Sequence, residues 1–268
     1  RLKKSIPIAI RFLDDVIDVS RAPLPQIASL TRANRKIGLG VMGFADLLFQ
    51  LGVPYDSNQG IHVAKQLMSF IQREADRASE SLAREKGCFP NWQESIYGNG
   101  AKKRKMRNAT RTTIAPTGTL SMIADVSSGI EPVFSLAYTK QVLGGRELQY
   151  VNKHFSSALA IAGLYSSELI SKVGASGSAK TVPTIPESIR KVFATAFDVE
   201  PYWHVAMQSA FQKYTDNAVS KTVNLPSNAT ISDVEDVYRL AYRLGCKGIT
   251  VYRDRSRGSQ PLAACPIC

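Results

Sequence analysis

The segment Ala115–Ser121, which reads Ala-Pro-Thr-Gly-Thr-Leu-Ser, has residue types suited to binding phosphate. The β-branched run Arg111–Ile114 precedes it and an apolar stretch from Leu120 follows, so the pattern predicts a strand, a turn and a helix start. Main-chain N–H groups at a helix start attract phosphate, and Gly118 lets an anion approach the main chain. No lysine follows as in a Walker loop, so a phosphate-binding turn and a plain helix cap both fit. Three hydroxyl groups add small donors, those of Thr117, Thr119 and Ser121.

A second glycine-rich segment, Gly38–Gly43, matches the dinucleotide fingerprint G-x-G-x-x-G. That fingerprint requires a strand before the first glycine and an acidic residue at the end of a second strand about 20 residues later. Here the preceding Thr31–Lys36 is polar and basic, and the residues that follow predict a helix. We therefore expect a helix from about Gly38 to Leu51, with glycines that allow close helix packing, and no nicotinamide site.

The chain ends in a Cys-x-x-Cys pair, Cys265 and Cys268. A redox dithiol, half of a four-cysteine zinc site and a chance occurrence all fit this pair. Cys88 and Cys246 lack zinc-ligand spacing, and we expect both to be packing residues.

Histidines and paired carboxylates predict no further chemistry. No cysteine or carboxylate lies at ligand spacing from any histidine, so the sequence predicts neither a hydrolase triad nor a metal site. Asp14 and Asp15 are interpreted as helix surface. The histidines are His62, His154 and His204.

Composition and charge limit the class of protein. The 268 residues carry a formal charge of +12 and are 44% hydrophobic, with no apolar run of the roughly 18 residues that a membrane span needs. Membrane, fibrous and disordered classes are excluded. Basic clusters at Lys102–Arg107 and at Arg253, Arg255 and Arg257 fit solvated loops or attraction for phosphate. The cysteines form no secreted disulfide framework, so we expect a cytoplasmic protein.

Hydrophobic periodicity predicts the elements that must position these residues. A helical stripe runs from Leu2 to Ile17, and a long helix begins near Ser57 and ends at Gly87. Gly174–Pro186 reads as a loop. Further helices are expected at Leu148–Ala162, Ile189–Ala196 and Val205–Tyr214.

The last third predicts a βαβ unit. Val219–Val223 and Gly248–Tyr252 are strand-like, and between them Ser232 with Glu235 forms a capping box that opens a helix ending at Gly245. The fold class is therefore α/β with a large helical share.

Several motifs in family order resemble the large catalytic chain of ribonucleotide reductase in its adenosylcobalamin-dependent form, class II. The resemblance implies the second half of a ten-stranded α/β barrel over residues 1–255 and a flexible tail over 256–268. The matching motifs are Arg35–Asp46, Ala115–Ser121, Gly129–Pro132, Ala218–Pro226 and Gly245–Asp254.

This resemblance also implies the chemistry. A thiyl radical abstracts the 3′ hydrogen of the ribose, and a cysteine pair reduces the 2′ carbon. The finger-loop motif Asn-x-Cys-x-Glu is absent, so no catalytic residue lies in this chain, and the radical cysteine is expected upstream of Arg1 in a fragment or split subunit that is inactive alone. The family's diphosphate-binding loop falls on Pro116, Thr117, Gly118, Thr119 and Leu120.

The cofactor follows from one position near the end of the barrel. The di-iron class has two adjacent tyrosines where this chain reads Tyr252-Arg253, and arginine cannot relay a radical as tyrosine does. The resemblance therefore implies adenosylcobalamin. Cys265 and Cys268 resemble the family's C-terminal dithiol, which exchanges with the active-site disulfide, and they equally fit the four-cysteine zinc module in which some class II chains end.

The partners implied are a ribonucleotide substrate, the N-terminal half of the enzyme, a thioredoxin-like reductant and a second copy of the chain in a homodimer, with no membrane. Two alternatives remain. One is a non-catalytic basic module that binds nucleotides or nucleic acid, which steeply salt-dependent DNA binding would reveal. The other is a di-iron-type large chain of class I.

Overall fold

The computed structural model describes residues 1–101, 103–142 and 146–256. Lys102, Arg257, Cys265 and Cys268 therefore lie outside the described residues. The helices are α1 (Leu2–Val19), α2 (Pro25–Asn34), α3 (Phe44–Leu51), α4 (Asn58–Lys86), α5 (Gly118–Ile123), α6 (Lys153–Ile161), α7 (Ser167–Ser176), α8 (Glu187–Val192), α9 (Pro201–Gln212) and α10 (Ile231–Arg243), with a short 3-10 helix at Pro90–Glu94. The strands are β1 (Ala137–Val142), β2 (Arg146–Val151), β3 (Thr222–Leu225) and β4 (Thr250–Arg253).

The chain forms two compact units. Each combines segments that are distant in sequence, so neither is a continuous stretch of chain. The first comprises Arg1–Gly40, Ala64–Ala115 and Phe211–Val219, and the second comprises Val41–Val63, Pro116–Ala210 and the chain from Ser220 onward.

Helices of the first unit follow the apolar periodicity. The stripe on α1 buries Ile6, Ile10 and Ile17, and α4 ends at Gly87, whose φ of 83° is the left-handed stop expected there. The helix α2 was not predicted. Pro25 occupies its first turn, where the missing N–H costs nothing, so a proline that ends one helix also begins the next.

The helix expected from Gly38 begins only at Phe44, so that prediction was wrong for Gly38–Gly43. Leu39 instead pairs with Thr112 in a parallel bridge, with Leu39 N–H donating to Arg111 O at 2.8 Å and Thr113 N–H to Leu39 O at 3.0 Å. The glycines allow close approach of two extended segments rather than of two helices. A Cβ at Gly40 would overlap the carbonyl oxygen of Thr113.

In the second unit, β1 and β2 form an antiparallel pair. The prediction of a helix over Leu148–Ala162 was wrong at its start, because Leu148 to Val151 belong to β2. The helix α6 begins only at Lys153, where the Asn152 side chain accepts hydrogen bonds from two helix amides. Gly174–Pro186 is not all loop either, since α7 continues to Ser176 before Gly177 ends it with a φ of 72°.

The βαβ prediction is confirmed. β3 and β4 are parallel, with Thr222 opposite Thr250 and Leu225 opposite Arg253, and α10 lies between them in sequence. The predicted capping box of α10, Ser232 with Glu235, lies two residues after the observed one. Thr230 caps the helix and Asp233 completes the box, because the motif Thr-x-x-Asp begins two residues before Ser-x-x-Glu.

Two apolar clusters form the core of this unit. One includes Phe155, Val173 and Ile185 among the helices that follow β2. The other joins β3 to one face of α10 through Val223, Leu225, Val237 and Ala241. Burial of each face on the other holds the strands and helices that flank the site described below.

Candidate functional site

The turn predicted to bind phosphate is open to solvent. Thr117 precedes α5 with a φ of 54°, and its carbonyl accepts a hydrogen bond from Ser121 N–H at 2.8 Å. The first amides of a helix have no acceptor within the helix, and Gly118, Thr119 and Leu120 are exposed, so their amides can meet a ligand without losing a partner among the described residues. A Cβ at Gly118 would meet no atom within 4 Å. The arrangement suits main-chain binding of an anion.

Two of the three hydroxyls expected as ligand donors serve the turn itself. Thr117 Oγ1 accepts a hydrogen bond from Gly129 N–H at 2.7 Å. Ser121 is buried, and its Oγ lies 3.0 Å from Gly118 O and 2.7 Å from Ser128 Oγ. Thr119 is the exposed hydroxyl of the three.

The loop after α5 connects this turn to the start of α3. Ser127 O accepts a hydrogen bond from Gly43 N–H at 2.7 Å, and Ser127 N–H donates to Asp46 Oδ2 at 2.6 Å. On the other side of the loop, Lys153 Nζ donates to Asp125 O at 2.6 Å and to its carboxylate at 2.7 Å. The turn and its supporting loop are thus fixed by polar contacts.

A buried polar cluster around Lys221 was missed by sequence reasoning. The Lys221 ammonium is wholly buried and donates to Glu131 Oε2 at 2.5 Å, to His204 Nδ1 at 2.8 Å and to Thr222 O at 2.8 Å. Thr222 N–H donates to Glu131 Oε1 at 2.6 Å. The cluster therefore ties the Gly129–Pro132 motif to the beginning of β3.

The protonation states in this cluster follow from its contacts. His204 Nε2 lies 3.0 Å from Ala196 O, and since a carbonyl only accepts, Nε2 carries the proton and Nδ1 accepts from Lys221. Burial, with the adjacent charge of Lys221, lowers the pKa of His204 well below its ordinary value. Burial also lowers the pKa of Lys221, which the Glu131 carboxylate opposes.

The signal for this cluster was present in part. Glu131 and Lys221 each lie in one of the motifs that carried the family resemblance. Their separation of 90 residues leaves no local pattern, so only the fold shows that they meet.

The other predicted residues are not brought to one place. Cys246 is half-buried against the cluster that holds Ile249 and Val251, and burial raises its pKa to about 11, which confirms a packing role. Cys88 is also half-buried. His62 is exposed, and His154 Nε2 lies 3.8 Å from Asp46 Oδ1.

Asp14 is not helix surface, contrary to the expectation. Its carboxylate is wholly buried and accepts hydrogen bonds from Arg35 Nε at 2.9 Å, Arg107 Nε at 3.1 Å and Asn108 Nδ2 at 2.9 Å. Burial would raise the pKa of Asp14, but these donors outweigh it and hold the pKa below its ordinary value. Arg35 also pairs with Asp18, so arginine balances the negative charge of both aspartates.

Ion pairing also accounts for part of the basic run Lys102–Arg107. Arg104 contacts Glu80 at 2.7 Å and Asp76 at 3.3 Å, and Arg107 contacts Asp14. The described arginines of this run are therefore bound to carboxylates of the first unit, which counts against a nucleic-acid surface there.

Tyr252 and Arg253, from which the sequence resemblance inferred the cofactor, lie on β4. The Tyr252 hydroxyl is buried and has no hydrogen-bond partner among the described residues. Arg253, next to it, donates from Nη1 to Ser227 O at 2.6 Å.

Residues 1–252 match the family described as ribonucleotide reductase, barrel domain. The chain belongs to this family. The resemblance carried by the sequence motifs is thereby confirmed, and so is its α/β barrel fold class. In the solved class Id ribonucleotide reductase alpha subunit of Actinobacillus ureae, 46% of the chain aligns with 92% of this one, with a TM-score of 0.79 at 24% identity, which shows a shared fold.

Two of the relatives with a B12-dependent name are more similar to this chain in sequence than an alpha subunit without that name. The vitamin B12-dependent ribonucleoside-diphosphate reductase of Thermoplasma acidophilum is 50% identical over 266 residues, 98% of this chain and 34% of that protein. Its counterpart in Mycobacterium tuberculosis is 46% identical over 264 residues, 98% of this chain and 38% of that protein. The ribonucleoside-diphosphate reductase subunit alpha of Chlamydia pneumoniae is 30% identical over 297 residues, 97% of this chain and 28% of that protein.

The chain spans about a third of the length of these reductases. None of the helices in the described ranges combines the length and apolar character that a membrane span requires.

Proposed function

We propose that this chain is part of a ribonucleotide reductase and that its turn Pro116–Leu120 binds the phosphate end of the ribonucleotide. The observation that carries the proposal is the open set of main-chain amides at Gly118, Thr119 and Leu120, in the motif that resembles the family's diphosphate-binding loop. Pro116 and Leu120 flank these amides and are exposed. Family membership supports the nucleotide as ligand.

The reaction proposed is reduction of the 2′ carbon of the ribose after a cysteine thiyl radical removes the 3′ hydrogen atom. The 2′ hydroxyl leaves as water, a cysteine pair supplies the two electrons and two hydrogens and becomes a disulfide, and the hydrogen atom returns to the 3′ carbon. We assign neither the radical cysteine nor that pair to this chain, because the finger-loop motif is absent from it. What this chain contributes is the position of the substrate, since binding its phosphates fixes the distance of the ribose from groups elsewhere in the enzyme.

Adenosylcobalamin is the proposed cofactor, and when bound it supplies the radical. Support comes from the names of the relatives at 46–50% identity and from Arg253, which interrupts a tyrosine relay. The residues of the phosphate turn do not fit a corrinoid. They present main-chain amides and a small hydroxyl, which suit phosphate oxygens, and the turn contains no imidazole. We assign no residue of this chain to the cofactor.

The remaining proposals concern partners and organisation. We propose residues 1–255 as the barrel portion and 256–268 as a tail whose Cys265 and Cys268 exchange with the active-site disulfide. The partners would be the N-terminal half of the enzyme, a thioredoxin-like reductant and a second copy of the chain. A reducing cytoplasm suits such a dithiol.

The test uses the enzyme reconstituted from this chain and the remaining part of the reductase, with adenosylcobalamin and a dithiol. Thr119→Val and Gly118→Val crowd the open side of the turn, so we expect the KM for the ribonucleotide to rise about tenfold or more, the equivalent of losing one or two hydrogen bonds to a charged group. Lys191→Ala on α8, an exposed ion-pair residue, is the matched control. An unchanged KM in both turn variants would refute the phosphate assignment.

A further inference from the structure

Asp46 is a buried carboxylate that contacts a loop 81 residues downstream. Its Oδ2 accepts a hydrogen bond from Ser127 N–H at 2.6 Å, and its own N–H donates to Ser127 Oγ at 3.4 Å. Gly43 N–H, three residues before Asp46, donates to Ser127 O at 2.7 Å. Both main-chain polar groups of Ser127 are thus held by the first turn of α3.

The residues next to Ser127 hold the phosphate turn. Ser128 Oγ lies 2.7 Å from Ser121 Oγ, and Gly129 N–H donates to Thr117 Oγ1 at 2.7 Å. Val126 N–H donates to Ser121 O at 3.0 Å. The Asp46 carboxylate is therefore connected, through the main chain around Ser127 and the hydrogen bonds of its neighbours, to Thr117 in the turn and to Ser121 just after it.

The turn needs such support because its main chain is strained. Thr117 has a φ of 54°, a conformation that a β-branched residue adopts only when its surroundings enforce it. A hydrogen bond from an amide to a carboxylate is charge-assisted and stronger than one between neutral groups, so Asp46 holds Ser127 more firmly than a neutral side chain would.

The other neighbour of Asp46 does not explain its burial. His154 Nε2 is 3.8 Å from Oδ1, which is beyond hydrogen-bonding distance, whereas Ser127 N–H is 2.6 Å from Oδ2. The closer and better-directed contact is the one to the loop.

We propose that Asp46 is a positioning residue for substrate phosphate binding, acting through Ser127, Ser128 and Gly129 on the amides of the turn. This inference rests on the proposed function of the turn. Amides that are already arranged for the ligand bind it with a smaller entropic loss, so loosening the loop weakens phosphate binding more than it slows the radical chemistry.

The experiment measures KM and kcat for the ribonucleotide in the reconstituted enzyme. Asp46→Ala removes both acceptor oxygens, and we expect the KM to rise about tenfold while kcat stays within about twofold. Asp46→Asn keeps one carbonyl oxygen for Ser127 N–H, and we expect it to recover most of that loss. Leu51→Ala, a change at an exposed residue of the same helix, is the matched control.

A structural role alone predicts a different result. In that case Asp46→Ala and Asp46→Asn would lower the melting temperature without raising the KM, and the inference would be wrong. If Asp46→Ala does not fold, Ser128→Ala decides, because it removes the contact with Ser121 while leaving α3 intact. A KM raised about threefold supports the proposal, and an unchanged KM overturns it.

Failure of this inference is distinguishable from failure of the proposed function. If Thr119→Val raises the KM and the Asp46 and Ser128 variants do not, the turn binds phosphate without help from Asp46. If none of these variants changes the KM, the phosphate assignment itself is wrong.

Discussion

Two glycine-rich segments of this chain look alike in sequence and differ in accessibility. In Gly38–Gly43, a Cβ at Gly38 would lie 2.5 Å from Thr113 Cγ2, and one at Gly40 would overlap the Thr113 carbonyl oxygen. In the turn Ala115–Ser121, a Cβ at Gly118 would meet no atom within 4 Å. The first pair of glycines permits two main-chain segments to approach, and the other glycine leaves space for a ligand.

The hydrogen bonds that hold the two segments in place also differ. Main-chain hydrogen bonds join Leu39 to Arg111 and Thr113, and the Asn217 side chain donates to Ile37 O and Thr112 O beside them. The turn is held by side chains, through the hydroxyls of Thr117 and Ser121. Main-chain pairing occupies both polar groups of Leu39, whereas hydroxyl support leaves the residues Gly118 to Leu120 of the turn exposed. A glycine motif therefore indicates a binding site only where the structure leaves its amides open.

The largest effect is expected at the closed segment. Gly40→Ala places a methyl group against the Thr113 carbonyl, and neither main chain can move without breaking the bridge at Leu39. We expect the free energy of unfolding to fall by about 3 kcal/mol, as in overpacked cores. Urea denaturation followed by circular dichroism measures this. An unchanged midpoint would mean that this close approach is not required.

The next effect concerns the polar support downstream of the turn. Lys221→Met keeps the length of the side chain but leaves His204 Nδ1 without its donor and Glu131 without its cation. We expect a loss of about 2 kcal/mol in unfolding free energy, less than for a fully buried pair because Glu131 is partly exposed. The same denaturation assay applies, with the exposed Lys191→Met as control. Equal midpoints for the two variants would show that the cluster contributes no stability.

A smaller effect is a pH dependence that comes from His204. Its pKa is lowered in the folded protein, so the unfolded chain binds the proton more readily and acid favours unfolding. The contribution is fully present above the unfolded value of about 6.5 and is lost as the pH falls below it, by at most about 1.4 kcal/mol per pH unit. Unfolding midpoints between pH 7 and pH 5 report this slope. His204→Gln, which does not titrate, should flatten it, and a parallel slope would assign the effect to another group.

The smallest effect on stability is expected at the open glycine. Gly118→Ala adds a methyl group that touches no protein atom at the start of α5, so the unfolding free energy should change by less than about 1 kcal/mol. Ribonucleotide affinity should nevertheless fall, because the methyl group occupies space next to the free amides. Calorimetry and substrate titration on the same sample separate the two. A large loss of stability would show that the turn is not open.

Local pattern was sufficient where neighbouring residues decide the structure. The apolar spacing along α4, the left-handed stop at Gly87 and the strands on either side of α10 follow from contacts within a few turns of chain. The turn at Ala115–Ser121 was recognised from a glycine next to a helix start, although the strand predicted over Arg111–Ile114 is present only as isolated bridges at Thr112 and Ile114.

Elsewhere, contacts with distant segments of the chain determine the structure, and the local sequence pattern predicted it wrongly. The sequence predicts a helix from Gly38, but Leu39 pairs with Thr112 in a parallel bridge, because the segment around Thr112 offers hydrogen bonds that an isolated Leu39 lacks. Leu148 to Val151 join β2 for a similar reason, as their partners on β1 satisfy the main chain.

The residue types along this chain were enough to indicate the family, the α/β class and the turn that we propose to bind phosphate. They did not indicate that Asp46 reaches Ser127, that Lys221 meets Glu131 and His204, or that Asp14 is buried. Those contacts join residues tens of positions apart, and their formation depends on how the chain folds back on itself. The free energy of a buried charge is set by the partners that surround it, and sequence spacing does not specify those partners.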